Sequence, residues 1–307
     1  MTSIVIPAHN EERVIGRLLD ALLTGDPGAS GARGEVRGGA RPDIVVVCNG
    51  CTDGTARVAA SRPGVRVVDI PTPSKHAALR AGDEHAVGFP RLYVDADVVL
   101  RAADVTALTE ALAGAPELRA VAPERELPLA GCGRRVRAYY RVWTRLPAVR
   151  EGLFGRGVIA VTEEGHGRLA ALPPLMADDL AASLAFGPGE RQVVGAARVV
   201  VHPPRTWADL MRRRVRATVS TAQLESQQAQ LAAREPQVNG VSQGKAESPS
   251  ARTSTADLRT LLRGEPKLLP SVVVFLAAAL LARRRAAKAI RDQDFGTWLR
   301  DESSREG

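Results

Sequence analysis

Cysteine is rare in this chain. Cys48, Cys51 and Cys132 are the three among 307 residues. They are too few to staple a fold of that size, and the expected compartment is a reducing cytosol. No signal peptide is read at the start, because Met1 runs directly into the strand-like SIVIP of 3–7. Long apolar runs are also missing. The longest uncharged stretch, 268–282, has 15 positions, against the roughly 20 that a spanning helix needs. A buried or interfacial helix is favoured there, with a spanning helix as the alternative. Aromatics make up only 4%, lysine is scarce, and no internal repeat is present.

The hydrophobic share is 45%, enough to bury a sizeable core in one large domain or two smaller ones. The net charge of +8 is uneven. From 205 to 307 there are 18 Lys and Arg against 11 Asp and Glu, a surplus of +7. A basic tail on a nearly neutral body fits an anionic partner: a diphosphate, a membrane surface or a nucleic acid.

The hydrophobic pattern alternates between strands and helices. SIVIP (3–7) reads as a buried strand, and NEERVIGRLLDALL (10–23) as a helix with acids in its first turn. A Gly-rich loop is expected over 25–42. DIVVVCNGCTDGTARVAAS (43–61) reads as strand, turn and helix, with Thr52 or Asp53 as N-cap. VRVVDI (65–70) is a third strand, 74–87 a helix, and RLYVDADVVL (91–100) a fourth strand. Near-continuous apolar strands separated by helices imply a mainly parallel sheet covered on both faces. Ligands bind such sheets beyond the carboxyl ends of the strands, where Asn10, Asn49, Asp95 and Asp97 all fall. Farther on, 134–147 reads as a basic amphipathic helix, 176–189 as a helix opening on two acids, and 191–204 as a strand or hairpin. A helix over 207–224 is followed by a Gln/Ser/Pro-rich linker or disordered stretch over 225–256.

Asp95 and Asp97 stand two positions apart, so a strand would aim both carboxylates to one side. Two like charges that close resist ionising together unless a positive group shares the site. A hard divalent cation, Mg2+ or Mn2+, wants carboxylate and phosphate oxygens and few protein ligands. The bland alternative is a D-x-D that merely caps a strand end.

The ordered set SIVIPAHNEE, IVVVCNGCTDGTA, SKHAALRAG, YVDADV, ADDL and RRRVR resembles family 2 glycosyltransferases of the GT-A fold. It covers residues 3 to about 216. The tail TWLRDESSR (297–305) resembles the ends of some bacterial members. The resemblance implies an α/β fold with a Rossmann-like, mixed and mainly parallel sheet flanked by helices, plus a helical C-terminal extension. It implies a GT-A domain over 1–205, with a nucleotide-sugar half over about 1–100 and an acceptor half over about 101–205. A basic helix over 206–224 would close over the site, with a linker over 225–256 and the extension over 257–307. It further implies an inverting, hexosyl-type transfer from a nucleoside-diphosphate sugar to an acceptor hydroxyl (saccharide, lipid-linked or small molecule), and no nucleic-acid partner.

Residue by residue, DAD matches the DXD motif. Asp97 would then hold the divalent metal at the diphosphate, and Asp95 would lie near the ribose and the metal's waters. ADDL matches the ED motif, making Asp179 the base, with Asp178 in place of the usual Glu. Pro7, His9, Asn10 and Glu11 would lie at ribose and base, and Lys75 near the nucleotide. Cys48-Asn49 replaces the usual acidic pair of the second strand, and the Asn49 amide can both donate to and accept from a base edge. Arg213 and Arg216, in MRRRVR, match the segment that closes over the diphosphate. FGRGV (154–158) matches the turn lining the sugar and acceptor. His202 is the candidate third metal ligand, with a plain structural histidine as the alternative.

Other classes remain in view. CNGC (48–51) lies between strand and helix, where a thiol oxidoreductase would carry C-x-x-C, yet that leaves the other motifs unexplained. Sugar-phosphate nucleotidyltransferases carry a Gly-rich basic loop after the first strand, and PAHNEER has no glycine. A catalytically degenerate GT-A binding module is the non-enzyme alternative. The basic residues beside 268–282 also suit contact with an anionic membrane surface, giving a cytoplasmic protein peripheral to the inner face of the membrane.

Overall fold

The computed structural model describes residues 1–24, 41–172, 178–234 and 253–291. Most of the loop expected over 25–42, the later part of the stretch 225–256 and the tail 297–305 lie outside the described residues. The chain forms two compact units that interleave in sequence. The first comprises 1–128, 153–173 and 185–202, and the second 129–152, 174–184 and 203–307.

The first unit is one eight-stranded sheet with helices. Its strands are β1 (Ser3–Ala8), β2 (Asp43–Asn49), β3 (Val65–Ile70), β4 (Arg91–Val94), β5 (Val98–Leu100), β6 (Ala120–Glu126), β7 (Val158–Val161) and β8 (Arg191–Val201). Their order is β3-β2-β1-β4-β7-β6-β8-β5. The pairs β3-β2, β2-β1, β1-β4 and β6-β8 are parallel, and β4-β7, β7-β6 and β8-β5 are antiparallel. The expected mixed, mainly parallel sheet is what forms. Its helices are α1 (Ile15–Leu23), α2 (Thr55–Ala60), α3 (Lys75–His85), α4 (Ala102–Gly114) and α7 (Glu163–Ala170). The second unit holds α5 (Arg134–Trp143), α6 (Pro147–Glu151), α8 (Asp178–Leu184), α9 (Trp207–Arg234), α10 (Thr255–Gly264) and α11 (Leu269–Arg291).

The apolar strands are continuous because both faces are covered. Ile4, Ile6, Val46 and Cys48 point into one core with Ile15, Leu18, Leu19 and Leu22 of α1, while Val45 and Val47 meet Ala78 of α3 on the other face. A Cβ on Gly82 would lie 2.3 Å from Val5 Cγ1. Only glycine lets α3 settle that close to β1. Pro7 is buried in β1, yet the ladder from β1 to β4 ends at Val5–Tyr93, so one side of the strand asks no donor of the proline.

Several expectations change. The helix expected over 10–23 begins at Ile15, with no acid in its first turn. RLYVDADVVL is not one strand: 95–97 form a turn, after which β5 leaves the neighbourhood of β1 and pairs with β8. The apolar run hides this break, because Ala96 is buried like a strand residue. The helix over 207–224 continues to Arg234, ten residues into the stretch expected to be a linker. The N-cap of α2 is Gly54, although the Asp53 carboxylate accepts the Thr55 N–H at 3.0 Å.

Candidate active site

Parallel pairing of β1 with β2 and β4 brings three strand ends side by side, and the loops after β1 and β2 are sewn together. The His9 Nδ1–H donates to Asn49 O (2.6 Å), and the Asn49 amide Nδ2–H donates to Ala8 O (2.8 Å). Asn10 takes a left-handed φ of 53°, and its Oδ1 accepts from the Thr52 N–H at 2.7 Å. The Glu11 N–H donates to Thr55 Oγ1 at 2.8 Å. The Cys51 thiol accepts from the Asn10 N–H and donates to Ala8 O, both at 3.4 Å. This lattice fixes the rim of the strand ends, with His9 and Asn10 half-buried and Glu11 buried.

Asn49 differs from expectation. It is 4% exposed, and one N–H of its amide is committed to Ala8 O. Its first task is joining β1 to β2. Cys48 and Cys51 are free thiols. Burial, followed by the adjacent Cys51, pushes the Cys48 thiol up to about 12. A redox-active dithiol needs a thiol that ionises readily, so this environment argues against C-x-x-C oxidoreductase chemistry.

Asp95 and Asp97 are both half-exposed on either side of buried Ala96. The turn thus leaves both carboxylates accessible to solvent, though not through strand geometry. Lys75 donates from Nζ to Asp95 Oδ1 at 2.8 Å. A cation in the first turn of a helix opposes the helix dipole, and the Asp95 carboxylate offsets that conflict. The Asp95 N–H donates to Gly157 O at 2.8 Å. Gly157 has a φ of +65°, and a Cβ there would lie 2.6 Å from Val98 Cγ1 and 3.1 Å from Asp95 Oδ2. Glycine keeps the space beside that carboxylate open. The FGRGV turn and the DAD turn therefore meet, because Val158 of β7 is in register with Val94 of β4. Arg156 in that turn is buried and donates to Pro123 O at 2.9 Å. Burial, opposed by nearby Glu124, brings its guanidinium down to about 10.

Arg17 of α1 was missed in the sequence. Burial lowers its pKa, while the Asp97 charge pulls it back up. Its only sequence signal is an arginine next to the apolar face of an amphipathic helix. Two half-exposed carboxylates, one flanking ammonium and one nearby guanidinium make a polar, anion-tolerant turn. Its hard oxygen donors suit a divalent cation that draws its remaining ligands from phosphate and water. Among the described residues no three His, Cys, Asp or Glu cluster closely enough to hold a metal ion by themselves. The expected third ligand, half-buried His202 just past β8, does not complete a trio with Asp95 and Asp97.

The remaining expected residues belong to the second unit. Asp178 and Asp179 open α8. Asp179 is exposed, and its Oδ1 accepts the Leu180 N–H at 2.8 Å. The four arginines of 211–216 separate by face. Arg212 pairs with Asp209, Arg214 lies 5.8 Å from the Tyr139 ring centroid, and Arg213 and Arg216, three apart, are half-buried.

No curated protein matches the chain. Among solved structures, a mannosyltransferase from Pyrobaculum calidifontis, in complex with GDP-Man and Mn2+, is 20% identical. That alignment covers 99% of this chain and 84% of the mannosyltransferase, with a TM-score of 0.54. Glucosyl-3-phosphoglycerate synthase from Mycobacterium tuberculosis, in complex with Mn2+, UDP and glucosyl-3-phosphoglycerate, is 22% identical. There the alignment covers 66% of this chain and 70% of the synthase, with a TM-score of 0.45. At such identities the likeness is one of fold, and the first of these structures shares the GT-A arrangement of the sheet described above. Residues 3–148, just under half of the chain, match the family model of Glycosyl transferase family 2.

Proposed function

We propose that this protein transfers a hexosyl-type unit, with inversion, from a nucleoside-diphosphate sugar to an acceptor hydroxyl on a saccharide, a lipid-linked carrier or a small molecule. The observation that carries the reading is the Asp95–Ala96–Asp97 turn. It lies at the carboxyl end of β4, beside the β1 and β2 loops, inside the segment that matches the family. Asp97, with Asp95, would hold Mg2+ or Mn2+, which when bound offsets the charge of the departing diphosphate.

The chain's own residues do the rest. The strand ends and loops carrying Pro7, His9, Asn10, Glu11 and Asn49 receive base and ribose on a pre-ordered rim, so little order is lost on binding. Lys75 balances the Asp95 charge, and Gly157 leaves room beside that carboxylate. Arg213 and Arg216 bind the diphosphate, which guanidinium donors suit. Asp179 takes the proton from the acceptor hydroxyl. A sugar hydroxyl is a poor nucleophile, and a positioned carboxylate supplies on the order of 10²–10⁴-fold. One base and one displacement, with no covalent enzyme intermediate, give inversion. The reaction belongs in the cytoplasm, in keeping with three free cysteines, and in the synthesis of an envelope polysaccharide, a glycolipid or a secondary metabolite.

The test is a panel of nucleotide sugars with purified protein and Mn2+, reading released nucleoside diphosphate with and without EDTA. At least one donor should be turned over or slowly hydrolysed, and EDTA should stop it. A protein that binds nucleotide sugars yet never turns them over would be the degenerate binding module instead.

A further inference from the structure

Among the described residues, helix α11 leaves one face without a protein partner. Its inner face carries buried Val272, Phe275, Ala278, Ala282 and Ala286, at the three- and four-residue spacing of one helical stripe. The alanines let the helix approach α5 and α9 closely, and Phe275 stacks on Tyr139 of α5 with ring centroids 5.2 Å apart. The outer face is also apolar. Leu269, Val273, Leu276, Leu280 and Leu281 are 56%, 60%, 49%, 52% and 37% exposed, and they are five of the seven large exposed hydrophobics among the described residues. Scattered surface leucines need no explanation, whereas a contiguous stripe of them does. From Leu269 to Leu280 the stripe runs about 16 Å along the axis.

Charge selects the occupant. Between Leu269 and Arg291 there is no Asp or Glu, while Arg283, Arg284 and Arg285 follow the stripe and Lys267 precedes it. All four are exposed, and none of them pairs with a carboxylate among the described residues. An acidic protein surface would offer charge but no bed for five aliphatic side chains. A second copy packed through α11 would bring cationic ends against cationic ends in either orientation. A bilayer with anionic headgroups answers both features, because apolar side chains enter the acyl boundary while the cations stay at headgroup level.

By length and composition the segment Pro266–Ala287 also passes as a spanning helix. Two facts oppose that reading. The uncharged stretch from Leu268 to Ala282 is 15 residues, about 22 Å as helix against a hydrocarbon core of about 30 Å. Spanning would also strip Phe275 and the alanine stripe from α5 and α9.

We propose that the outer face of α11 is a membrane-docking surface, lying in the plane of an anionic bilayer with Leu269, Val273, Leu276, Leu280 and Leu281 inserted and Arg283–Arg285 at the headgroups. This goes beyond the transfer reaction and does not depend on it. Flotation of the full-length protein with vesicles of phosphatidylglycerol and phosphatidylcholine tests it. The protein should float at low salt and be released at about 1 M salt, where the Debye length falls to about 3 Å. It should bind vesicles of phosphatidylcholine alone at least about tenfold more weakly. Leu276→Glu with Leu280→Glu should abolish flotation at an unchanged thermal midpoint, since both side chains already face water. Neutralising Arg283, Arg284 and Arg285 should remove the salt sensitivity. The Asp97→Asn variant should float like the wild type, which separates a failure of docking from a failure of the transferase reading. The idea is overturned by a wild-type protein that stays in solution at low salt, or by glutamate variants that float unchanged. Dimerisation lost in the glutamate variants without vesicle binding, or extraction by detergent alone, overturns it too.

Discussion

Two aspartate pairs, Asp95/Asp97 and Asp178/Asp179, look alike in the sequence and are held differently in the molecule. The first sits on a turn between two strands, with Ala96 buried behind it, the Lys75 ammonium 2.8 Å from Asp95, and Arg17 as a nearby positive charge for Asp97. The second opens a helix, where Asp179 is exposed and bonded to the backbone N–H of its neighbour Leu180. The first pair offers hard oxygen donors beside cationic groups, as a metal-binding turn would. An exposed carboxylate at a helix start can receive a proton from a substrate. The surroundings of the two pairs differ, and the tasks proposed for them differ accordingly.

The largest effect should come from the first pair. Asp97→Asn should lower turnover by about 10⁴-fold, about 5 kcal/mol in the barrier, with Mn2+-dependent nucleotide binding lost and the circular dichroism spectrum unchanged. Full activity in this variant would erase the distinction between the pairs. Next, Asp179→Asn should lower transfer by about 10³-fold, within the range a positioned base supplies, while donor binding persists. Asp178→Asn should remain active. If the two outcomes are exchanged, the base is Asp178 and the motif register shifts by one.

Lys75→Ala probes what holds the first pair. It should weaken nucleotide affinity by roughly tenfold, about 1.4 kcal/mol, measured by titration calorimetry, with Lys75→Arg partly restoring it. The smallest effect should be at Glu190, which touches neither pair. The Gly187 backbone N–H, then Arg168, hold its carboxyl below the usual range. A depressed carboxylate contributes stability above its unfolded pKa and loses it as pH falls through the folded one. Glu190→Gln should therefore lower the thermal midpoint slightly near neutral pH, and the gap to wild type should close below about pH 4.

Much of the fold was legible because each buried strand is a nearly unbroken apolar run with helical periodicity between. Ile4–Ile6 and Ile44–Val47 need cover on both faces, and they have it. The break at 95–97 was illegible because Ala96 is as apolar and buried as a strand residue, and only the change of partner from β1 to β8 shows the turn. The continuation of α9 to Arg234 was hidden by a Gln/Ser-rich composition that reads as linker. At the site, the DAD, FGRGV and Lys75 segments were identified as separate motifs, and their meeting depends on the β4–β7 register, a long-range pairing that no local pattern encodes. The donor–acceptor chemistry of Asn49 is plain in the sequence, but its burial and the bond from one amide N–H to Ala8 O are not. For α11, composition indicated an apolar helix with arginines after it. Which face packs on Tyr139 and which stays in water depends on α5, more than 120 residues earlier in the chain.

The most direct test of the division between the two pairs is a parallel titration of UDP and GDP, each with Mn2+, into the wild type, Asp97→Asn and Asp179→Asn. The account predicts that one of the two nucleotides binds the wild type only when Mn2+ is present, that Asp97→Asn loses this binding, and that Asp179→Asn keeps it at wild-type affinity. Equal loss in both variants, or metal-independent binding that survives Asp97→Asn, would contradict it.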